Sequence, residues 1–276
     1  MVMLASANSS APSVPLSQAS VEFAQYKELL FMLTSRDIKI RYKQSIMGFA
    51  WAVLMPILIV GSGLIVMVAF STISGNTLKK TDVLSVAIKS VPWAFFVGAI
   101  RFATNSLVMN KELVTKIYFP REILPFASVL ANLFDFLIAG TVLLLVLCLA
   151  HIGASIYDLW VPVMLLLLVL LSAGFGMLLA CANLFFRDVK YLVEVGLTYG
   201  IFFTPVFYSA SALGKMGKVL LLNPVSPILE SLCDVVILHK SPDLYWLAYS
   251  AVLAVFGFYA SWTIFRKTEA SFAESI

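Results

Sequence analysis

Six long apolar stretches, at about 48–71, 83–108, 123–150, 159–184, 191–208 and 244–265, occupy most of a chain of 276 residues. Each reaches or nearly reaches the roughly 20 residues that an α-helix needs to cross a bilayer. A lipid interior offers no water to unpaired peptide groups, so a spanning segment must be a helix or a strand of a closed barrel. These stretches are continuously apolar and lack the in-out alternation of a barrel strand. The expected fold is an all-α membrane protein with six transmembrane helices. Composition agrees, with 61% hydrophobic and 12% charged residues and a mean hydropathy of +0.96. A soluble domain carries about 45–50% apolar and about 25% charged residues. Little length remains for a soluble catalytic domain.

The chain divides into four parts. Residues 1–21 carry no basic start and no apolar core, so they read as a disordered cytoplasmic tail and not as a secretory signal. Residues 22–46 have helical spacing, with Phe23, Tyr26, Leu30 and Leu33 on one face and Arg36, Lys39 and Lys43 on another, as in an amphipathic helix on the membrane surface. The six-span unit covers 48–265, and 266–276 form a second cytoplasmic tail. Between the fifth and sixth spans, residues 209–243 hold two apolar pieces, 219–222 and 228–238, too short to span and broken by Asn223-Pro224 and Ser226-Pro227. Such pieces are interfacial or re-entrant.

Orientation follows from Lys and Arg in the loops. With both termini cytoplasmic, the inner side holds twelve basic residues, in the N-terminal helix, the second and fourth loops and the chain end, against five outside: Lys79, Lys80, Lys215, Lys218 and Lys240. Lys89 lies in or at the edge of the second span. Trp93, Trp160 and Trp246 fall near expected outer ends, and Trp51 and Trp262 near inner ones.

Catalysis needs clustered titratable groups, and the two histidines, His151 and His239, stand far apart without metal-ligand spacing. No GxxxxGK[ST] loop occurs; Gly214-Lys-Met-Gly217-Lys218 lacks its spacing and hydroxyl. Of the three cysteines, Cys148 and Cys181 sit inside apolar runs and read as core fillers. Charge inside a membrane marks a pathway or an ion pair that fixes packing. Three such residues occur: Arg101 in the second span, Asp135 near the middle of the third and Glu194 in the fifth. Their depths let Arg101 reach one of the carboxylates. Ser172, Gly176 and Ala180 form a small-residue stripe that permits close helix approach, within one copy or between two. The fifth span is aromatic in its outer half, with Tyr199, Phe203, Phe207 and Tyr208 among its rings. Such rings suit either a lipid-facing belt or a path for sugars.

Three runs carry a resemblance: Arg36-Asp-Ile-Lys-Ile-Arg-Tyr-Lys-Gln-Ser-Ile-Met-Gly-Phe-Ala-Trp-Ala-Val-Leu-Met-Pro56, Lys116-Ile-Tyr-Phe-Pro-Arg-Glu-Ile-Leu-Pro125 and Asn183-Leu-Phe-Phe-Arg-Asp-Val189. In order and spacing, from about 22 to 265, they resemble the permease subunits of ABC-2 type polysaccharide exporters, nearest the O-antigen and teichoic-acid branch. The resemblance implies a homodimer of permeases in a bacterial inner membrane, joined to two copies of a separate P-loop ATPase. It implies a lipid-linked glycan as substrate and lipids as surroundings, with no nucleic acid. This chain would bind no cofactor; ATP and Mg would enter through the ATPase, and the chain itself would not be an enzyme.

The same resemblance makes Arg36, Asp37, Lys39 and Arg41 of the N-terminal helix candidate ATPase contacts. It assigns a coupling helix to the loop between the second and third spans, with Asn110, Lys111, Glu112, Lys116, Tyr118, Phe119, Pro120 and Arg121. It makes the pieces between the fifth and sixth spans outer gate helices, and it favours a channel lining for Tyr199, Phe203, Phe207 and Tyr208. Rival readings are an ABC-2 permease for small molecules or lipids, an ion-coupled secondary transporter, for which no repeat between the halves is visible, and a membrane transferase, for which no acidic or histidine cluster is visible.

Overall fold

A computed structural model describes residues 26–43, 50–74 and 80–272. The tail expected at 1–21, Phe23, the ends of the expected interface helix, Lys79 and residues 273–276 lie outside these. The described residues form α-helices and short 3-10 turns, with no strand among them.

Each apolar stretch becomes helical, with one exception to its expected shape. The N-terminal helix is α1 (Lys27–Lys43), and the first apolar stretch is α2 (Ala50–Ser74). Then follow α3 (Lys80–Met109), the short α4 (Lys111–Lys116), α5 (Ile123–Leu149) and α6 (Val161–Phe185). The remainder is α7 (Val189–Gly200), α8 (Lys215–Leu220), α9 (Val225–Val236) and α10 (Leu244–Thr268). Among the described residues, four helices are long and apolar enough to cross a membrane: α3, α5, α6 with its leading 3-10 turn, and α10. Helix α2 carries a shorter apolar run, Ile57–Ala69.

The exception is the fifth stretch. Helix α7 gives way to a 3-10 turn, Ile201–Phe203, and Thr204 is extended at φ −122° and ψ 131°. The proline at 205 explains this, because its ring crowds the preceding residue out of the helical region.

Helix α3 is the centre of the bundle, packed against α2, α5, α6, α7 and α9. Trp93, expected near the outer end of its span, is buried in the bundle core beside Phe96. The small-residue stripe of α6 works within this chain: Ser172, Gly176 and Ala180 are all buried, and a Cβ on Gly176 would stand 2.7 Å from the Ala103 Cβ of α3. Two residues earlier, Gly174 lets α6 approach the backbone of Phe258 on α10.

Both histidines end helices in the left-handed region, His151 at φ 57° and His239 at φ 50°. At the end of α5 the His151 N–H donates to Cys148 O at 3.0 Å and the Ile152 N–H to Leu147 O at 3.2 Å, the Schellman pattern that glycine usually serves. His151→Gly is therefore expected to raise the unfolding midpoint slightly, by about 0.5–1 kcal/mol of stability, since glycine adopts this conformation without a Cβ clash. Thermal unfolding in detergent measures it.

Candidate functional site

The bundle end that carries α4 gathers the sequence runs singled out above. Helix α4 leaves Lys111, Glu112 and Lys116 exposed, with a Lys116 to Glu112 ion pair of 3.1 Å on its surface. Its inner face is anchored by buried Val114. Directly after it Ile117 is exposed and Tyr118 projects almost wholly into the open, at 98% exposure. The next residues turn inward: Phe119 is buried in a cluster with Leu33, Leu107, Ile123 and Leu184. This six-residue helix, with one buried face and a bare tyrosine beyond it, leaves an open outward surface.

What holds this loop from behind lies 144 residues further along. Glu122, at 0% exposure, accepts two bonds from the Arg266 guanidinium, at 3.1 and 3.0 Å, and one from the Trp262 indole N–H at 2.9 Å. The Arg121 backbone N–H donates to Glu269 Oε1 at 2.9 Å, its side chain donates to Glu269 O at 2.5 Å, and its guanidinium lies over the Phe272 ring. Burial pushes the Glu269 carboxyl above the ordinary range, against the opposing pull of the Arg121 backbone N–H. Thus Arg121 is engaged with the C-terminal segment of its own chain.

Helix α1 does not lie apart from the bundle. Tyr26, Leu30 and Leu33 pack on the cluster under α4, as the expected apolar face requires. Arg36 bridges Asp37 at 2.9 Å and donates to the Asn110 side chain at 2.8 Å, joining α1 to the start of α4. Lys39 is exposed. Helix α1 then runs along α5, so that Arg41 pairs with Asp135, donates to Asn132 at 3.3 Å and lies 4.1 Å from the Phe102 ring centre. The Tyr42 hydroxyl donates to the other Asp135 oxygen. Burial, reinforced by that hydrogen bond, raises the Tyr42 hydroxyl.

The three charges expected inside the spans therefore sort into two pairs. Arg101 takes Glu194 at 2.7 Å, within the reach expected from depth, and Asp135 takes Arg41. Asp135 sits about 18 Å along α5 at 1.5 Å per residue. Helix α1, packed along α5, brings Arg41 to it.

The four aromatic candidates also divide. Tyr199 and Phe203 are exposed along α7 and its 3-10 turn. Phe207 is packed into the core, where Gly63 of α2 leaves room for its ring. The Tyr208 hydroxyl donates back to Phe202 O at 2.7 Å. At the end of the bundle away from α4, α9 packs on α3, α6 and α10, and α8 packs on the 3-10 turn before it. Asn223 donates to the Thr204 hydroxyl at 2.9 Å, bracing the break after α7. Gly214 turns the chain at φ 53°, and Gly217 passes so close to Ala210 O that a Cβ would stand 1.9 Å from it. The glycines of the phosphate-loop-like text serve this tight hairpin. Asn183, in the third quoted run, donates to Thr104 O at 3.0 Å and accepts from the Lys190 N–H at 3.2 Å, tying α6 to α3 and to the start of α7.

Sequence reasoning missed the Glu122–Arg266 and Arg121–Glu269 contacts, which join residues more than a hundred positions apart. It also missed the partner of Lys89, which is Glu230 on α9 at 2.8 Å. A lone cation in an apolar run needs a counter-ion, and that was the available signal. Among the described residues no three His, Cys, Asp or Glu side chains gather as metal ligands would.

The profile of the ABC-2 type transporter family matches residues 28–237. The O-antigen export system permease protein RfbA of Myxococcus xanthus is 29% identical over 262 residues, covering 92% of this chain and 98% of the relative. Two proteins of the same name from Klebsiella pneumoniae are each 25% identical, over 209 residues (75% of this chain, 79% of the relative) and over 252 residues (90% and 94%). With its run of apolar helices and a family match over most of its length, the chain is a multi-pass membrane protein of the ABC-2 type transporter family.

Proposed function

We propose that this chain is the transmembrane subunit of an ATP-driven exporter that moves a lipid-linked polysaccharide of O-antigen type from the cytoplasm across a bacterial inner membrane. Two copies form the channel between them, and two copies of a separate P-loop ATPase supply ATP and Mg. In this reading the chain crosses the membrane six times, with α2 and the broken α7 as first and fifth spans, both termini and α4 are cytoplasmic, and α8 and α9 form the outer gate. Export permeases as relatives along nearly the whole chain support the substrate class.

The observation that carries the mechanism is the built asymmetry of the α4 loop. Its outward side is free, with Lys111, Lys116 and a bare Tyr118, while its inward side is fixed by Phe119, Arg121 and Glu122. A partner pressing on the outward side moves a piece already tied to α3, α5 and α10. A polymer longer than the membrane is thick does not fit one alternating cavity, so repeated strokes on a lined channel are the plausible device. Tyr199 and Phe203 stand on the open face of α7, where a second copy would complete such a lining; the sugars' C–H edges would pack on their rings.

The test uses outward residues alone. Tyr118→Ala combined with Lys111→Glu is expected to leave membrane insertion unchanged and to weaken ATPase association and export by about tenfold or more, since tyrosines are frequent interface hot spots. Co-purification with the ATPase and glycan export in vesicles measure it. A variant that keeps both, or a wild-type chain that transports on an ion gradient without ATP, overturns the proposal.

A further inference from the structure

Lys89 has the least expected environment of any charged side chain in the bundle. It stands on α3, about 14 Å from the end away from α4 and about 30 Å from Met109, at 1.5 Å per residue. It is 2% exposed. Its ammonium donates to Glu230 of α9 at 2.8 Å and to Tyr208 O at 3.0 Å, and the same Glu230 oxygen accepts the Ala210 N–H at 2.9 Å. One buried cation thus gathers three elements: α3, the segment after α7, and α9. An ammonium in an apolar setting binds its partners stiffly, because losing either leaves a charge that no water relieves.

Helix α3 is continuous from Lys80 to Met109, and α4 follows one residue later. Pro92, one turn from Lys89, removes one rung of the ladder, but buried Trp93, Phe95 and Phe96 brace the helix there. On its other side α9 hangs from α10 by the turn that leads into it, through the Tyr249 hydroxyl to Leu222 O at 2.9 Å and the Ser250 hydroxyl to Pro224 O at 2.8 Å. The opposite end of α10 is the one clamped to Glu122. Helix α9 is therefore suspended from two long helices, and both are joined at their other ends to the α4 loop.

We propose that Lys89 is the positioning residue that docks α9 onto α3, so that a displacement of α4 is carried along α3 and lifts α9 at the far end. The drive in this inference rests on the exporter reading; the docking does not.

Cys233 is a native reporter. It lies one turn from Glu230 on α9, buried, with its thiol 3.2 Å from the Ser85 hydroxyl of α3. The full chain with its ATPase in proteoliposomes is treated with a maleimide, and labelling of each cysteine is read by mass spectrometry. In the wild type Cys233 is expected to be protected without ATP and to label faster during turnover. Lys89→Met and Glu230→Gln are each expected to raise ATP-free labelling of Cys233 by about a hundredfold, the scale of breaking a buried pair read through a local opening. Buried Cys181, at the α4 end, should stay protected and so show that the bundle remains folded. Both variants should still hydrolyse ATP while exporting about tenfold less glycan, a split that a purely stabilising contact would not produce.

Glu230→Gln keeps the shape of the site and decides the matter if Lys89→Met fails to accumulate. Protection of Cys233 equal to wild type in the accumulating variants overturns the docking. Raised labelling with undiminished export overturns the positioning role. Raised labelling in a system where ATP drives no transport even in the wild type counts against the exporter reading and leaves the docking standing.

Discussion

Glu122→Ala is expected to lower stability by about 3–5 kcal/mol, the range for removing one partner of a buried ion pair. The carboxylate is fully buried and accepts from both Arg266 and Trp262. Without it the Arg266 guanidinium and the Trp262 indole N–H lose the acceptor they share. Thermal unfolding in detergent and the steady-state level in membranes measure the effect. Glu122→Gln, which keeps an acceptor and loses the charge, should fall between wild type and alanine. Glu122→Met with Arg266→Met should recover much of the loss, since apolar replacement of both partners is often neutral. A Glu122→Ala protein with wild-type stability would show that the clamp does not hold the loop.

Asp135→Ala is expected to release α1 from α5. Arg41 and Tyr42 both lean on this carboxylate, and Asn132 and Phe102 give Arg41 only secondary support. The loss should be about 2–3 kcal/mol, below the Glu122 figure because both charged side chains are 22% exposed. The direct measurement is limited trypsin digestion, in which cleavage after Lys39 and Lys43 should quicken while cuts elsewhere stay as in wild type. Arg41→Ala with Asp135→Ala should be less damaging than the sum of the single changes, because removing both charges leaves neither stranded. Equal digestion of wild type and Asp135→Ala would mean that apolar packing alone seats α1.

Helical spans are legible in a sequence like this because hydrocarbon forces each crossing segment to satisfy its own backbone and to be apolar throughout. The bounds of α3, α5, α6 and α10 accordingly fall within a few residues of the apolar stretches. The break in the fifth stretch was also written locally, in Thr204-Pro205, but hydropathy averages over a single proline. Pairing of charges was legible only where depth decides it. Arg101 and Glu194 lie at similar depths on neighbouring helices, whereas Asp135 found Arg41 because α1 climbs along α5, an angle that amphipathic spacing does not contain. The Phe119-Pro120-Arg121-Glu122 run stood out as a unit, yet its tyrosine neighbour faces outward and its arginine and glutamate face Glu269, Trp262 and Arg266. Which way a loop residue points depends on what distant chain arrives behind it, and no local pattern carries that.

The interruption after α7 also bears on how the protein is made. Twelve α-helical residues and a three-residue 3-10 turn rise about 24 Å, short of the roughly 30 Å hydrocarbon core. Such a segment gains too little from lipid to insert as an independent helix during synthesis. Its lasting place comes from contact with α3 and α6 and from Asn223, which is synthesised later and caps the break through Thr204. In the proposed six-span reading, the fifth crossing would be completed only once the segment carrying Asn223 has left the ribosome, after the long helices before it.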